Sequence, residues 1–258
     1  LLLLIFSFVS CEKNEEQNFL LDDNKPNIYS AEASLSLYLK SQSLMKQQKL
    51  GGSIVFIGTR NIPAPGKDFG AYSASKAAQE FVTHSFAQSY FHGKNIPVAT
   101  ARAGNVIGGG DWSEDRLMAD VIRAVSARVP VELRSAEATR PWQHVLEAVG
   151  GYICLAINLK LNKKLHGESF NFGPNLSKEC SVLELVEKMS NYWNNLSWKV
   201  MPKSKKKFYE SELLRLNCNK AKKILKWKGI LKFDETVKMV ANWYQNFYLD
   251  PKNIDYVT

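Results

Sequence analysis

The 258-residue chain is 45% hydrophobic and 23% charged, with a formal charge of +9, which suits one large globular domain or two small ones. Cys11, Cys154, Cys180 and Cys218 show no CxxC spacing, and His84, His92, His144 and His166 show no metal-ligand spacing. A disulfide framework and a zinc site are therefore excluded as expectations, and the thiols fit a reducing compartment.

The chain opens on "LLLLIFSFVSC", an apolar run too short to span a bilayer. It resembles the apolar region and cleavage box of a bacterial lipoprotein signal, with Cys11 as the lipidated residue, although no basic segment precedes it. Residues 1–29 are expected to be irregular or signal-like. From Ser30 to Lys49, Leu35, Leu37, Tyr38, Leu39, Leu44 and Met45 recur at helical spacing, and Gly51-Gly52 stops that helix. "SIVFIG" follows as a continuously apolar strand of the kind covered on both faces. "RNIPAPGKDFG" is a Pro/Gly loop.

A long helix is predicted from Ala71 to Phe91, with Ala77, Ala78, Phe81, Val82 and Phe86 on its apolar side. Gly93 ends it, and "IPVATARAG" is a second buried strand. Helix, strand, loop, helix, strand is the order of right-handed crossovers in a parallel sheet. The glycine-rich "GNVIGGGDW" then leads to a helix over Arg116–Arg128, a short "PVELR" strand, a helix over Val145–Lys160 and a sheet strand in "ESFNFGP". Helices over Val182–Trp193, Ser211–Trp227 and Asp234–Leu249 close the chain.

The positive excess is uneven. Lys199, Lys203, Lys205, Lys206, Lys207, Lys220, Lys222, Lys223, Lys226, Lys228 and Lys232 crowd the last third. This is either a solvated helical surface or an attraction for an anionic partner such as a nucleotide-sugar diphosphate. No aromatic-interleaved basic motif supports nucleic acid.

Tyr72 and Lys76, in "GAYSASKAAQEF", stand four apart and so share one helix face directly after a loop. An ammonium near a phenol favours the phenolate and brings the tyrosine toward neutral pH as a general acid/base. Thr59 follows the preceding strand by one position, where strand ends carry sites in open α/β sheets. A tyrosine and lysine four apart are a weak signal alone. With the threonine, the intervening "SAS" and the Ala-rich continuation, they form a specific one.

This stretch resembles the short-chain dehydrogenase/reductase superfamily. "LMKQQKLGGSIVFIGT" is similar to its compact, single-domain members. "VATARAGNVIGGGDWSEDRLMADVIRA", "RPWQHVLEAVGGYICLA" and "SFNFGP" resemble its extended branch, and within it the CDP-glucose 4,6-dehydratase family. The resemblance covers about residues 35 to 250. It implies an α/β fold: a partial Rossmann-type, doubly wound parallel sheet over residues 30–110. A smaller, mostly helical substrate region over 111–258 would return a strand near 168–173 to the sheet.

The resemblance also implies roles. Tyr72 is the acid/base, Lys76 also holds the nicotinamide ribose of NAD, and Thr59 positions the reacting oxygen. Ala103 and Gly104 lie against the cofactor, Asn105 contacts the sugar, and Arg116 and Arg140 face the diphosphate and nucleotide, to which guanidinium groups make bidentate bonds. Gly108-Gly109-Gly110 would let backbone approach a ligand, or form a plain flexible loop. Trp112, Trp142 and His144 are packing residues. A homodimer through helices 30–49 and 71–91, a nucleotide-sugar substrate and a cytoplasmic setting complete the expectation, with no membrane association unless Cys11 is lipidated.

Two positions depart from the pattern. No GxGxxG or GxxGxxG precedes Ser30, so the turn that would hold the dinucleotide pyrophosphate is not found. After Thr59 stand Arg60 and Asn61, where the resembled dehydratases have Thr-Asp-Lys; arginine stays protonated and cannot supply the acid for elimination. The rival expectations are an NAD(P)-dependent carbonyl reductase and a non-catalytic remnant that retains nucleotide-sugar binding.

Overall fold

The computed structural model describes residues 2–5, 53–58, 70–89, 96–113, 116–175, 180–202 and 216–249. Cys11, the helix expected over Ser30–Lys49, Thr59, Arg60 and Asn61 lie outside them. The side chains of Tyr72 and Lys76 lie outside them too.

The chain divides into two compact units. The first comprises Leu1–Ala103, Gly151–Asn171 and Lys223–Leu225; the second comprises Gly104–Gly150, Phe172–Lys222 and Lys226–Thr258.

In the first unit, β1 (Leu2–Ile5), β2 (Ser53–Gly58) and β3 (Val98–Ala103) form a sheet with β8 (Ser169–Phe172) in the order β1-β2-β3-β8. The opening apolar run, expected to be irregular or signal-like, thus carries a strand that pairs in parallel with β2, Leu2 opposite Ser53 and Ile5 opposite Phe56. β2 and β3 are also parallel, with Ile54 opposite Val98 and Gly58 opposite Arg102. Ile54, Val55, Phe56, Val98, Ala99 and Ala101 are all buried, which explains why these strands read as unbroken apolar runs rather than alternating ones.

Helix α1 (Gly70–Ser89) joins β2 to β3 in the predicted place. His166 ties its last turn to the sheet: Val98 N–H donates to Nδ1 at 3.0 Å, so Nε2 carries the proton that bonds the Ala87 carbonyl at 2.7 Å. Gly167, at φ +80°, takes the left-handed turn that leads into β8.

In the second unit, β4 (Asn105–Ile107) pairs in parallel with β7 (Trp142–His144), β5 (Val131–Leu133) with β10 (Trp198–Val200), and β6 (Thr139–Arg140) antiparallel with β9 (Cys180–Ser181). Helices α2 (Leu117–Ala127), α4 (Val182–Ser190) and α5 (Phe233–Leu249) surround a core of Val121, Ile122, Leu133, Leu185, Met189, Val237, Val240 and Tyr244. Ser181 and Glu184 close a reciprocal capping box at the start of α4. Helix α3 (Val145–Leu161) runs through the residue 150–151 boundary between units.

The helix expected over Ser211–Trp227 is much shorter in its described part, a wide turn over Ala221–Leu225. Lys226 ends it in a left-handed conformation, φ 57°, and its backbone N–H bonds the Ala221 carbonyl.

Candidate active site

The carboxyl ends of β2 and β3 lie side by side, because Gly58 and Arg102 are in register. In open α/β sheets this edge carries the ligand. Thr59 is the next residue after β2 but lies outside the described residues. Tyr72 and Lys76 occupy the first two turns of α1, the helix that leaves this edge, and their four-residue separation puts them on one face. Ala103 ends β3 in the first unit, and Gly104, where the chain enters the second, follows directly. A Cβ on Gly104 would lie 2.9 Å from the Pro141 ring and 2.9 Å from the Pro141 carbonyl, so glycine there is demanded by packing.

Asn105 opens β4 opposite Trp142. Its Oδ1 is buried and has no hydrogen-bond partner among the described residues. A buried acceptor without a donor is costly. Arg140 stands two residues before Trp142 and is 4% exposed, with Nη1 donating to the Thr139 carbonyl at 2.8 Å. Arg116 differs: it is exposed at the N-terminus of α2, in extended conformation and without a side-chain cap. The pairing of β4 with β7 therefore brings Asn105 to the segment that carries Arg140, while Arg116 sits on another element.

The glycine run has a packing explanation. A Cβ on Gly108 would lie 2.7 Å from Val145 Cγ1, one on Gly109 would overlap the Trp243 indole, and Gly110 adopts φ +75°. Trp243 stacks on Phe247 with centroids 5.6 Å apart and meets Tyr244 edge-on at 5.1 Å. Tyr244 in turn fixes the end of the run, with its hydroxyl donating to the Asp111 carbonyl at 2.9 Å and accepting from Asp111 N–H at 3.0 Å.

Trp142 and His144 are buried, as expected of packing residues; Trp142 Nε1 donates to the Cys180 carbonyl at 3.1 Å, and burial holds the His144 imidazole below its usual range. Trp112 is 40% exposed and lies against Tyr244, Phe247 and Tyr248.

Three polar features were not found from the sequence. Gln143 is completely buried, donating from Nε2 to the Phe172 carbonyl at 2.9 Å while its Oε1 has no partner among the described residues. Glu147 accepts the backbone N–H groups of Ile230 and Leu231 with one carboxylate oxygen. Arg102 forks onto Glu80, with Nε 2.6 Å from Oε1 and Nη2 on Oε2. Each partner is distant in sequence, so no local pattern announced it.

Residues 54–173 match the sequence profile of the NAD dependent epimerase/dehydratase family. The chain is also 36% identical over 191 residues to CDP-glucose 4,6-dehydratase of Salmonella typhimurium strain LT2, an alignment covering 72% of the chain and 52% of that enzyme.

Among solved structures, UDP-glucuronic acid 4-epimerase from Bacillus cereus, in complex with UDP-glucuronic acid and NAD, superposes with a TM-score of 0.62 at 17% identity, over 76% of this chain and 62% of that one. The WbmF enzyme of Bordetella bronchiseptica in complex with NADH gives 0.59 at 20% identity, over 76% and 60%. These likenesses show the Rossmann-type α/β fold. The chain spans about half the length of the curated relative it matches.

Proposed function

We propose that the chain carries the nicotinamide and sugar side of a nucleotide-sugar 4,6-dehydratase that acts on CDP-glucose or a similar nucleotide hexose. The observation that carries this reading is the 36% identity to CDP-glucose 4,6-dehydratase, which runs well beyond the shared fold. The buried Asn105 Oδ1, one residue past Gly104 and without a partner among the described residues, supports a polar ligand at this point of the chain.

In this reading the Tyr72 phenolate takes the proton of the sugar C4 hydroxyl, and the Lys76 ammonium lowers the phenol's pKa from one helical turn away. Thr59 donates to a lone pair of the same oxygen and leaves its O–H directed at the tyrosine. NAD, when bound, supplies the acceptor for the C4 hydride and its return to C6. Tyr72, Lys76, Ala103 and Gly104 would hold its nicotinamide end; the small side chains after β3 suit a flat ring there. Asn105 donates to or accepts from a sugar hydroxyl, and Arg140 and Arg116 neutralise the diphosphate. Arg60 and Asn61 supply no acid for the loss of water across C5 and C6, so that proton comes from another group.

The same reading favours a cytoplasmic setting, where NAD and nucleotide sugars are held. Among the described residues no helix is long and apolar enough to cross a membrane. It also favours a homodimer that covers the outer face of α1, where Phe81 is 76% exposed.

The test is incubation with CDP-glucose and NAD, followed by the alkaline absorbance of a 4-keto-6-deoxy sugar. Product that disappears in Tyr72→Phe supports the proposal. NAD(P)H oxidation with simple ketones, and no such sugar, defeats it in favour of a carbonyl reductase. Light scattering at the mass of one chain defeats the dimer.

A further inference from the structure

The helix face that carries Tyr72 and Lys76 continues for one more turn to Glu80, since 72, 76 and 80 are each four apart. Glu80 does not end in solvent. Arg102 grips both of its carboxylate oxygens, and the two side chains retain only 20% and 14% of their exposure. The third guanidinium nitrogen, Nη1, lies 3.4 Å from Asn171 Oδ1 on β8. Gly58, the register partner of Arg102 and the residue before Thr59, comes so close that a Cβ there would stand 2.5 Å from Glu80 Oε1. One ion pair therefore joins α1 to the carboxyl ends of β2 and β3 and to β8.

Charge makes the arrangement more than a brace. A carboxylate four residues from a lysine on a helix is within pairing distance. Strand β2 carries no titratable side chain, β3 carries only Arg102, and β8 none; on α1 the others are Tyr72, Lys76 and His84, and His84 Nδ1 faces the Gly167 carbonyl at 3.5 Å. Among the described residues of these four elements Glu80 carries the one carboxylate, and it stands four residues from Lys76.

We propose that Arg102 and Glu80 are a positioning pair for the Tyr72–Lys76 helix: the guanidinium fork occupies the carboxylate that would otherwise pair with Lys76, and it holds the helix against the strand ends at Gly58 and Arg102. This rests on the reading of Tyr72 and Lys76 as the proton-transfer pair, but the effect on Lys76 is present whether or not the chain turns over. A lysine engaged by Glu80 would offer less positive potential to the phenol, and the tyrosine would hold its proton to higher pH.

The experiment is competitive acetylation of amines in the intact chain near pH 8. Lys76 labelling is quantified by mass spectrometry against the exposed Lys160. In Arg102→Met, Lys76 should label about threefold more slowly, because a freed carboxylate stabilises its ammonium. Adding Glu80→Gln should restore the wild-type rate, which a purely structural role for Arg102 would not do. Glu80→Gln alone should label at least as fast as the wild type.

Unchanged labelling in Arg102→Met, or slow labelling that persists in the double variant, overturns the proposal. If Arg102→Met does not fold, Glu80→Gln decides: slower Lys76 labelling there overturns it, and equal or faster labelling sustains it. Turnover that survives Tyr72→Phe would defeat the catalytic reading while leaving the labelling result intact, so the two failures are distinguishable.

Discussion

Gly58 and Glu80 share a space that admits no further atom: the carboxylate of one fills the position where a side chain on the other would begin. The carboxylate is not a loose end that can swing aside, because Arg102 holds both its oxygens. Gly58→Ala should therefore cost about 1–3 kcal/mol, the usual range for forcing a methyl into a filled site. Urea unfolding measures the loss. Adding Glu80→Ala should recover part of it; wild-type stability in Gly58→Ala would show that the carboxylate has room to retreat.

Two other glycines should behave in opposite ways. Gly109→Ala would drive a methyl into the Trp243 ring, which Phe247 and Tyr244 hold in place, and should lose about 1–3 kcal/mol with a change in tryptophan fluorescence. Gly150 sits within α3, and a methyl added there would meet nothing within 4 Å, so Gly150→Ala should gain about 0.5–1 kcal/mol from helix propensity alone. Thermal melts of the pair check both signs.

Alkaline pH should unfold the protein through its buried phenols. Burial pushes Tyr152 and Tyr244 up to about 12, while an unfolded tyrosine ionises near its ordinary value of 10.0. Below pH 10 both states keep the proton and the stabilisation is complete. Between about 10 and 12 only the unfolded chain releases it, so stability falls as pH rises. The two residues together account for a decline of roughly 2–5 kcal/mol over that window. Urea midpoints at pH 9 and pH 11 should differ less in the Tyr152→Phe, Tyr244→Phe double variant than in the wild type; an equal drop in both proteins would assign the alkaline loss to other groups.

Asn105 separates binding from folding. Among the described residues its buried Oδ1 has no partner, so Asn105→Leu orphans no donor of that atom and should change the unfolding free energy by less than about 1 kcal/mol. If the amide meets the sugar, the same change should raise KM for CDP-glucose by about tenfold, the worth of one hydrogen bond to an uncharged hydroxyl. A large stability loss with unchanged KM would make Asn105 a structural residue.

The parallel sheet was legible because burial on both faces leaves the unbroken apolar runs "SIVFIG" and "VATARA"; α1 stands where a helix is expected, but Phe81 and Val82, expected on its apolar side, are 76% and 38% exposed, and Thr83 and Ala87 are buried instead. Strands β4, β6, β7, β9 and β10 were not; two or three residues seldom show a period, and β5, no longer than these, stood out only through the alternation of Val131, Glu132 and Leu133. Among the site residues, the spacing of Tyr72 and Lys76 pointed to one helix face, and the helix is there. The packing of the glycine run leaves no local trace, because its partner is an indole more than 130 residues later, which only the fold brings near. Arg102 and Glu80 escaped notice for the same reason, being 22 residues apart on a strand and a helix.

Each compact unit is stitched from three separated stretches of chain, the first from Leu1–Ala103, Gly151–Asn171 and Lys223–Leu225. Neither half can be excised as one continuous fragment. A polypeptide stopped at Ala103 would lack β8, and with it Asn171 and His166, the two side chains that reach back to β3. Such long-range closure makes the native state depend on late-synthesised segments, so a nascent or proteolytically shortened chain would hold its sheet open until the remainder arrived.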